Sequence, residues 1–246
     1  FTVNGANVIT ALTINANADT TVAMDTSRSE FAAGTLRGAG DVTIFDTSAN
    51  FADANLTAAA PVYTGTLTFR PSTEENANDY SAGGVVTGLD VIDFTDIAAG
   101  GVAGGTYTLP AVVGGDSLTI VDSPATGTRD SSIENITIVQ LGSSLNDSVT
   151  FNFGARTTPA LTGAITAATT ETITINYSGL TAGTAFSVAN VTTANALGTQ
   201  TVDINGTGAF TLGTVTADEL NTVGVGATGS VSATLANGTA GAIFTG

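Results

Sequence analysis

Carboxylate and amide side chains are densest in residues 74–79 of this chain. Calcium takes about six to eight oxygen ligands from carboxylates, amides, carbonyls and water. Three carboxylates and two amides within one short segment offer several such ligands. The candidate calcium ligands here are Glu74, Glu75, Asn76, Asn78 and Asp79. The alternative is an acidic loop that is exposed to solvent and binds no ion.

A second acidic cluster consists of Asp90, Asp93 and Asp96. In an extended strand, Asp90 and Asp96 share one face and Asp93 takes the other, so the three cannot reach one ion while the segment is extended. Asp93 and Asp96 form the better pair if the strand ends between them. All three are retained as candidate calcium ligands, with solvated side chains as the alternative.

An acidic residue also precedes each of four similar segments in the middle of the chain. These residues are Asp116, Glu134, Asp147 and Glu171. If the segments stack as parallel strands, the carboxylates line up about 5 Å apart and repel one another. We therefore predict that a divalent cation bridges some of them, and we include Asp116 among the metal ligands. Neutralisation by arginine and plain solvation at turns are the alternatives.

The segments that follow these acids share one pattern: two polar residues, an apolar residue, Thr, an apolar residue, then Val or Asn. Apolar residues at i and i+2 lie on one face of a strand and the intervening Thr lies on the other. The β-branched residues suit a pleated, half-buried surface. The copies begin at Asp116, Glu134, Asp147 and Glu171, with a degenerate copy at Gln200. The pattern predicts strands with one buried face.

The spacing of these strands bears on the architecture. The first inward residues of successive strands are separated by between 13 and 30 residues. They are Leu12, Val42, Leu67, Val91, Leu118, Ile136, Val149, Ile173 and Val202. Such spacing fits a parallel β-helix (β-solenoid) with loops of varying length, and it also fits stacked β-sandwich domains. Few Asn-Gly or Asp-Gly hairpin turns separate the strands, which favours the parallel arrangement. We therefore expect an all-β protein of one of these two kinds.

The composition changes along the chain near residue 158. All five basic residues and 17 of the 21 acidic residues precede this point. We therefore predict an acidic β-rich segment at 1–157 and a nearly uncharged segment rich in Thr, Gly and Ala at 158–246. One continuous fold with a plainer second part is the alternative.

The composition excludes several classes of function. The chain has no Cys, His or Lys, so Ser-His-Asp and Cys-His catalysis, Schiff bases and cysteine metal sites are ruled out. The net charge of −16 makes nucleic acid a poor partner. No stretch approaches the ~20 apolar residues of a membrane helix, so we expect no membrane insertion. An acidic chain without Lys or Cys is typical of a surface outside the cell.

The segments at residues 132–138, 218–223 and 88–94 resemble secreted surface-layer and RTX-type repeat proteins of bacteria. Residues 132–138 (Ser-Ile-Glu-Asn-Ile-Thr-Ile) are similar to a strand that recurs in such proteins, and residues 218–223 are similar to a variant of it. Residues 88–94 resemble the strand that often closes an RTX β-roll. The resemblance implies a parallel β-helix or stacked β domains, calcium between turns, and self-assembly at the cell surface. The full calcium-binding nonapeptide is absent, and residues 114–118 hold only a fragment of it.

These observations predict a structural, extracellular protein that assembles with copies of itself into a surface layer or filament and is stabilised by calcium. The alternative is a segment of a large secreted adhesin, whose partner would be a cell-surface ligand such as a glycan. A β-helix enzyme acting on polysaccharides is weighed third, because paired carboxylates can cut glycosidic bonds without His. The scarcity of Arg and the absence of Lys and Trp leave little to hold a sugar. We therefore expect no enzymatic activity.

Overall fold

The computed structural model describes the strands of this chain and the turns that adjoin them. The described residues are 2–3, 12–24, 31–46, 54–57, 62–71, 78–79, 85–93, 106–108, 111–113, 117–122, 135–137, 140–141, 147–153, 160–167, 169–177, 186–193, 200–217, 220–225, 231–235 and 243–245. All regular structure among them is β-strand, and the strands form three parallel sheets. No helix within these ranges is long and apolar enough to cross a membrane.

Sheet 1 is the longest of the three and runs the length of the described structure. The strands are numbered in chain order through all three sheets. Sheet 1 contains, in spatial order, β1 (Thr2–Val3), β3 (Thr20–Met24), β5 (Val42–Asp46), β7 (Leu67–Pro71), β10 (Val91–Asp93), β13 (Ser117–Asp122), β16 (Ser148–Phe153), β18 (Thr172–Tyr177), β20 (Gln200–Gly206), β22 (Leu220–Val225) and β24 (Ile243–Thr245).

Sheets 2 and 3 each cover only part of the stack. Sheet 2 contains β2 (Leu12–Ala16), β4 (Phe31–Gly38), β6 (Ala54–Thr57), β9 (Val85–Thr87), β12 (Ala111–Val113) and β15 (Gln140–Leu141). Sheet 3 contains β8 (Asn78–Asp79), β11 (Thr106–Thr108), β14 (Asn135–Thr137), β17 (Ala160–Thr166), β19 (Phe186–Thr192), β21 (Phe210–Thr216) and β23 (Val231–Leu235).

The order in which the chain visits the sheets defines a parallel β-solenoid. From β2 to β7 the chain alternates between sheets 2 and 1, from β8 to β16 it visits sheets 3, 2 and 1 in turn, and from β17 onward it alternates between sheets 3 and 1. Parallel neighbours need a crossover, and here the strands of the other sheets supply it. The predicted parallel β-helix is therefore confirmed, and the β-sandwich alternative is wrong because the described pairings are parallel.

The core is built by strict alternation along the strands of sheet 1. In β16 and β18, every second residue is buried and the residues between are half-buried. Phe151 lies beside Ile120 in one neighbouring strand and Ile175 in the other, and all three are fully buried. The rings of Phe151 and Phe153 stack at 5.9 Å. Apolar side chains of successive coils thus form continuous buried columns, which is the main source of stability in such a fold.

Two predicted positions differ from the structure. The pattern that begins at Glu134 forms β14, which lies in sheet 3, whereas the copies beginning at Asp147, Glu171 and Gln200 form consecutive strands of sheet 1. In β10 the buried residue is Ile92 rather than Val91, which was expected to point inward. Local pattern predicts a strand correctly, but the sheet that a strand joins depends on the path between strands.

Sheet 3 contains register shifts that the middle of sheet 1 lacks. The pairing shifts between β17 and β19 and again between β21 and β23. In β21 the buried residues are Phe210, Leu212 and Val215, and two residues rather than one separate Leu212 from Val215. A Cβ added at Gly213, within this bulge, would collide with the carbonyl oxygen of Ala189 on β19. Glycine is therefore required where the two backbones approach.

Strands from both compositional segments pair within the same sheets. β16, from segment 1–157, pairs in register with β18, from segment 158–246. In sheet 3, β14 pairs with β17 across the same point. The division at residue 158 as a domain boundary stays a prediction.

Candidate functional site

The predicted calcium ligands fall into three groups with respect to the structure. Glu74, Glu75, Asn76, Asp96 and Asp116 lie outside the described residues. Asn78 and Asp79 form the short strand β8, which pairs with β11. Asp90 lies directly before β10 and Asp93 is its last residue, and both have defined side-chain partners.

The Asp90 carboxylate joins two coils of the solenoid. The backbone N–H of Leu67 on β7 donates a hydrogen bond to Oδ2 of Asp90 at 2.7 Å. In return the backbone N–H of Asp90 donates to the carbonyl of Leu67, and the Asp90 carbonyl accepts from Thr119 on β13. Asp90 therefore connects three successive strands of sheet 1. A carboxylate that accepts a backbone N–H is a strong, charge-assisted contact.

Asp93 faces a cation supplied by the protein itself. Its Oδ2 lies 3.3 Å from Nε of Arg70 on β7. The two residues lie side by side because Ile92 pairs with Phe69. The Asp90 carboxylate therefore contacts the backbone at the start of β7. The Asp93 carboxylate contacts the side chain of Arg70 near the end of β7.

These contacts bear on the predicted calcium site. Within the described ranges, no group of three or more acidic side chains could hold a metal ion. The described contacts direct the carboxylates of Asp90 and Asp93 to different protein donors. Calcium binding stays a prediction for the whole set of candidate ligands: Glu74, Glu75, Asn76, Asn78, Asp79, Asp90, Asp93, Asp96 and Asp116.

Acidic residues lie directly before the first residue of several strands of sheet 1. We call Asp19, Asp41, Asp90, Asp147 and Glu171 the carboxylate column. Oδ1 of Asp19 accepts a hydrogen bond from the backbone N–H of Asp41 at 3.1 Å, and Oδ1 of Asp41 accepts one from Thr66 at 2.8 Å. The carboxylates of Asp19 and Asp41 thus bond the backbone of the next coil, 22 and 25 residues away. The column ties coil to coil where the sheet begins.

Asp147 and Glu171 are the buried part of the carboxylate column. They retain only 1% and 4% of their exposure, and they lie in adjacent coils because Ser148 pairs with Thr172. Oε2 of Glu171 accepts a hydrogen bond from the backbone N–H of Asp147 at 2.9 Å, and the backbone N–H of Glu171 donates to the Asp147 carbonyl. The predicted alignment of these two acids is confirmed. A backbone N–H contacts the Glu171 carboxylate, and bridging of these acids by a divalent cation stays a prediction.

The tyrosine at position 63 lies close to the same column. Its hydroxyl donates to the carbonyl of Thr66 at 2.9 Å and accepts from the backbone N–H of Val42 at 3.1 Å. Burial raises the pKa of Tyr63 to about 12, and the nearby Asp41, Asp90 and Asp19 add to this effect. Tyr63 is therefore a neutral link between the starts of β5 and β7 over the physiological pH range.

A ladder of asparagine side chains lies near the C-terminal ends of three strands of sheet 1. Nδ2 of Asn176 donates to Oδ1 of Asn152 at 2.8 Å, and Nδ2 of Asn205 donates to Oδ1 of Asn176 at 3.1 Å. These residues occupy the last position of the repeated pattern in β16, β18 and β20. The sequence therefore contained the signal for this ladder, because a shared position in aligned strands brings identical amides together. The partners of Tyr63 had no comparable signal.

The described contacts define coil-joining groups at both ends of the strands of sheet 1. Carboxylates lie at the entrance, and amides with the Arg70–Asp93 pair lie at the exit. Comparisons of this chain with protein-family models, with curated proteins and with solved structures find no match.

Proposed function

We propose that this protein is a structural component of an extracellular surface layer or filament, and that copies of the chain associate to build it. The observation that supports this proposal is the long parallel sheet, in which neighbouring strands are hydrogen-bonded and several coils are also tied by side chains at the strand ends. A solenoid of this kind is stiff and offers an extended surface to neighbours.

Net charge sets the condition for association. Copies that each carry −16 repel one another, so assembly needs either screening or a bridging cation. Asp19 and Asp41 are exposed, so their charges face neighbouring copies of the chain. Calcium is the cation that we propose for this role, and residues 74–79 are the ligands that the sequence favours.

Electron microscopy and sedimentation of the purified chain test the proposal. We expect sheets or fibres in millimolar calcium, dispersal on addition of a chelator, and weaker assembly in magnesium, which demands stricter octahedral geometry. A chain that remains monodisperse with and without calcium contradicts the assembly proposal. Assembly that is indifferent to the chelator contradicts only the role of calcium.

A matched pair of variants separates calcium binding from general charge. Glu74→Gln combined with Glu75→Gln removes two charges from the predicted loop, whereas Asp203→Asn combined with Asp218→Asn removes two charges elsewhere. We expect only the first pair to raise the calcium concentration needed for assembly. Equal shifts in both pairs would show that calcium acts by screening alone. A stable monomer that binds cell-surface glycans would instead favour the adhesin alternative.

A further inference from the structure

The outward face of sheet 1 carries a row of β-branched residues that continues through seven coils. We call it the threonine row. One residue from each of the strands β3, β5, β7, β10, β13, β16 and β18 lies in it, and the pairing aligns them without a register shift. The members are Thr21, Thr43, Thr68, Val91, Thr119, Thr150 and Thr174.

The geometry of this row is regular for physical reasons. Parallel strands lie about 4.8 Å apart, so the row presents one side chain at each such step. β-Branched side chains are stiff at χ1, which fixes where each methyl and hydroxyl lies. The row members are half-buried between their neighbours, apart from Thr21, which is exposed. Half-burial between identical neighbours further restricts their rotation.

A second row of hydroxyls makes part of this face two-dimensional. A serine or threonine lies two residues before each of Thr119, Thr150 and Thr174. These preceding residues pair with one another across the coils. This second row is about 7 Å from the first, as expected for positions i and i+2 of a strand. Its members are Ser117, Ser148, Thr172 and Thr201.

Charge distinguishes this part of the face from the rest of the molecule. The outward positions of β13, β16 and β18 carry hydroxyls, one valine and the amides of Asn152 and Asn176, with no charged side chain among those described. The chain as a whole carries −16. The nearest charges in the same rows are Asp203 on β20 and Asp93 on β10. The occupant that complements this face is therefore electrically neutral.

We propose that this face binds ice, through the ordered water at an ice surface. The step between strands is close to the repeat of equivalent water oxygens in the basal plane of ice, so successive threonines meet successive equivalent waters. The methyl groups contact the lattice while the hydroxyls take up its hydrogen bonds. A protein partner fits less well, because the face lacks the Trp, Tyr and Arg anchors that carry most interface energy.

Adsorption of the full chain to ice tests this proposal directly. We expect a fluorescently labelled chain to coat a growing ice crystal and to lower the freezing point below the melting point. Thr150→Tyr places a bulky ring in the threonine row, two residues from Ser148 of the second row, and should reduce this gap severalfold. Thr211→Tyr on sheet 3 is the matched control, because Thr211 is exposed and lies outside these rows, and it should leave the gap unchanged.

Three results would overturn the proposal. The first is a wild-type chain that does not adsorb to ice, and the second is an equal loss in Thr150→Tyr and Thr211→Tyr. The third is a wild-type dimer, seen by sedimentation, that does not adsorb to ice and that Thr150→Tyr dissociates. This result would show that the face joins copies of the chain. If Thr150→Tyr fails to fold, Thr174→Tyr in the next coil must show the loss, and its full adsorption would equally contradict the proposal.

Discussion

Sheets 1 and 3 are built from similar residues, yet their strands align differently. From β3 to β20 the described pairings of sheet 1 show no register shift, whereas sheet 3 shifts between β17 and β19 and between β21 and β23. The reason lies in the spacing of the apolar residues. In β18, Ile173 and Ile175 are separated by one residue, but in β21, Leu212 and Val215 are separated by two.

This difference shows how regularity is produced in a solenoid. Strict alternation leaves each outward residue above its counterpart, so threonines and asparagines form rows that extend over several coils. An extra residue bends the strand, increases its twist and ends such a row. Sheet 1 is therefore suited to present a periodic surface, while sheet 3 closes the coil. Four changes test this comparison, and the largest expected effect is described first.

Removal of the Phe151 side chain should destabilise the protein most. Phe151 is fully buried in sheet 1 and stacks on Phe153, so Phe151→Ala should lower the free energy of unfolding by about 3–5 kcal/mol. Chemical denaturation monitored by circular dichroism measures this loss. Leu212→Ala in sheet 3 is the comparison, and we expect a smaller loss because its strand is bulged. A larger loss for Leu212→Ala would contradict the view that sheet 1 holds the tighter core.

The bulge in sheet 3 is tested by Gly213→Ala. The added methyl group would collide with the backbone of Ala189, which cannot move without disturbing the paired strands, so we expect a loss of about 1–3 kcal/mol. Thr214→Ala, at the adjacent half-buried position, is the control and should change stability by less than about 0.5 kcal/mol. Equal effects of the two substitutions would show that the bulge does not constrain the backbone.

Tyr63 predicts a dependence of stability on alkaline pH. Its pKa is about 12 in the folded protein and near 10 when unfolded, so folding favours the neutral hydroxyl. The stabilisation is present below pH 10 and is lost as the pH rises toward 12. Tyr63→Phe should cost about 1–2 kcal/mol at neutral pH through its lost hydrogen bonds.

The comparison between wild type and Tyr63→Phe isolates this group from the other tyrosines. Burial also raises the pKa of Tyr177, which remains in both proteins. Melting temperatures measured from pH 8 to pH 12 should therefore fall more steeply for the wild type. Parallel curves would show that the Tyr63 hydroxyl does not link the starts of β5 and β7.

The smallest effect is expected at Thr193, at the end of β19 in sheet 3. Its side chain is fully buried, and its hydroxyl makes no hydrogen bond to the described residues. Thr193→Val removes this unsatisfied group while keeping the shape, so it should raise the free energy of unfolding by about 1 kcal/mol. The neighbouring half-buried Thr192→Val serves as the control and should be close to neutral. Destabilisation by Thr193→Val would indicate a partner for the hydroxyl.

Much of the fold could be predicted from the sequence because side-chain alternation has a period of two in any strand. The Thr-centred patterns beginning at Asp147 and Glu171 predict the buried and half-buried faces of β16 and β18 correctly. The parallel arrangement was favoured because hairpin turns are scarce. The position of Ile92 was missed because Leu89 is buried just before β10 and the alternation changes phase at Asp90.

The candidate site was less predictable from sequence. Acidic residues before strands are visible in the sequence, but whether a carboxylate meets a cation or a backbone N–H depends on the coil beside it. Asp90 contacts Leu67, 23 residues away, and Glu171 contacts Asp147, 24 residues away. Neither contact follows from local spacing, because the lengths of the intervening loops vary.

By itself, the sequence determined that the chain forms strands, which of their faces are buried, and which residues of one strand can meet the same residues of the next. These properties follow from local alternation and from the stiffness of β-branched side chains. Only the tertiary structure decided which sheet each strand joins. It placed β14, the strand after Glu134, in sheet 3, whereas the strands of similar sequence lie in sheet 1. It also directed the carboxylates to backbone donors. Parallel pairing brings together residues from different coils, and the path between coils is set by the whole stack rather than by neighbours in the chain.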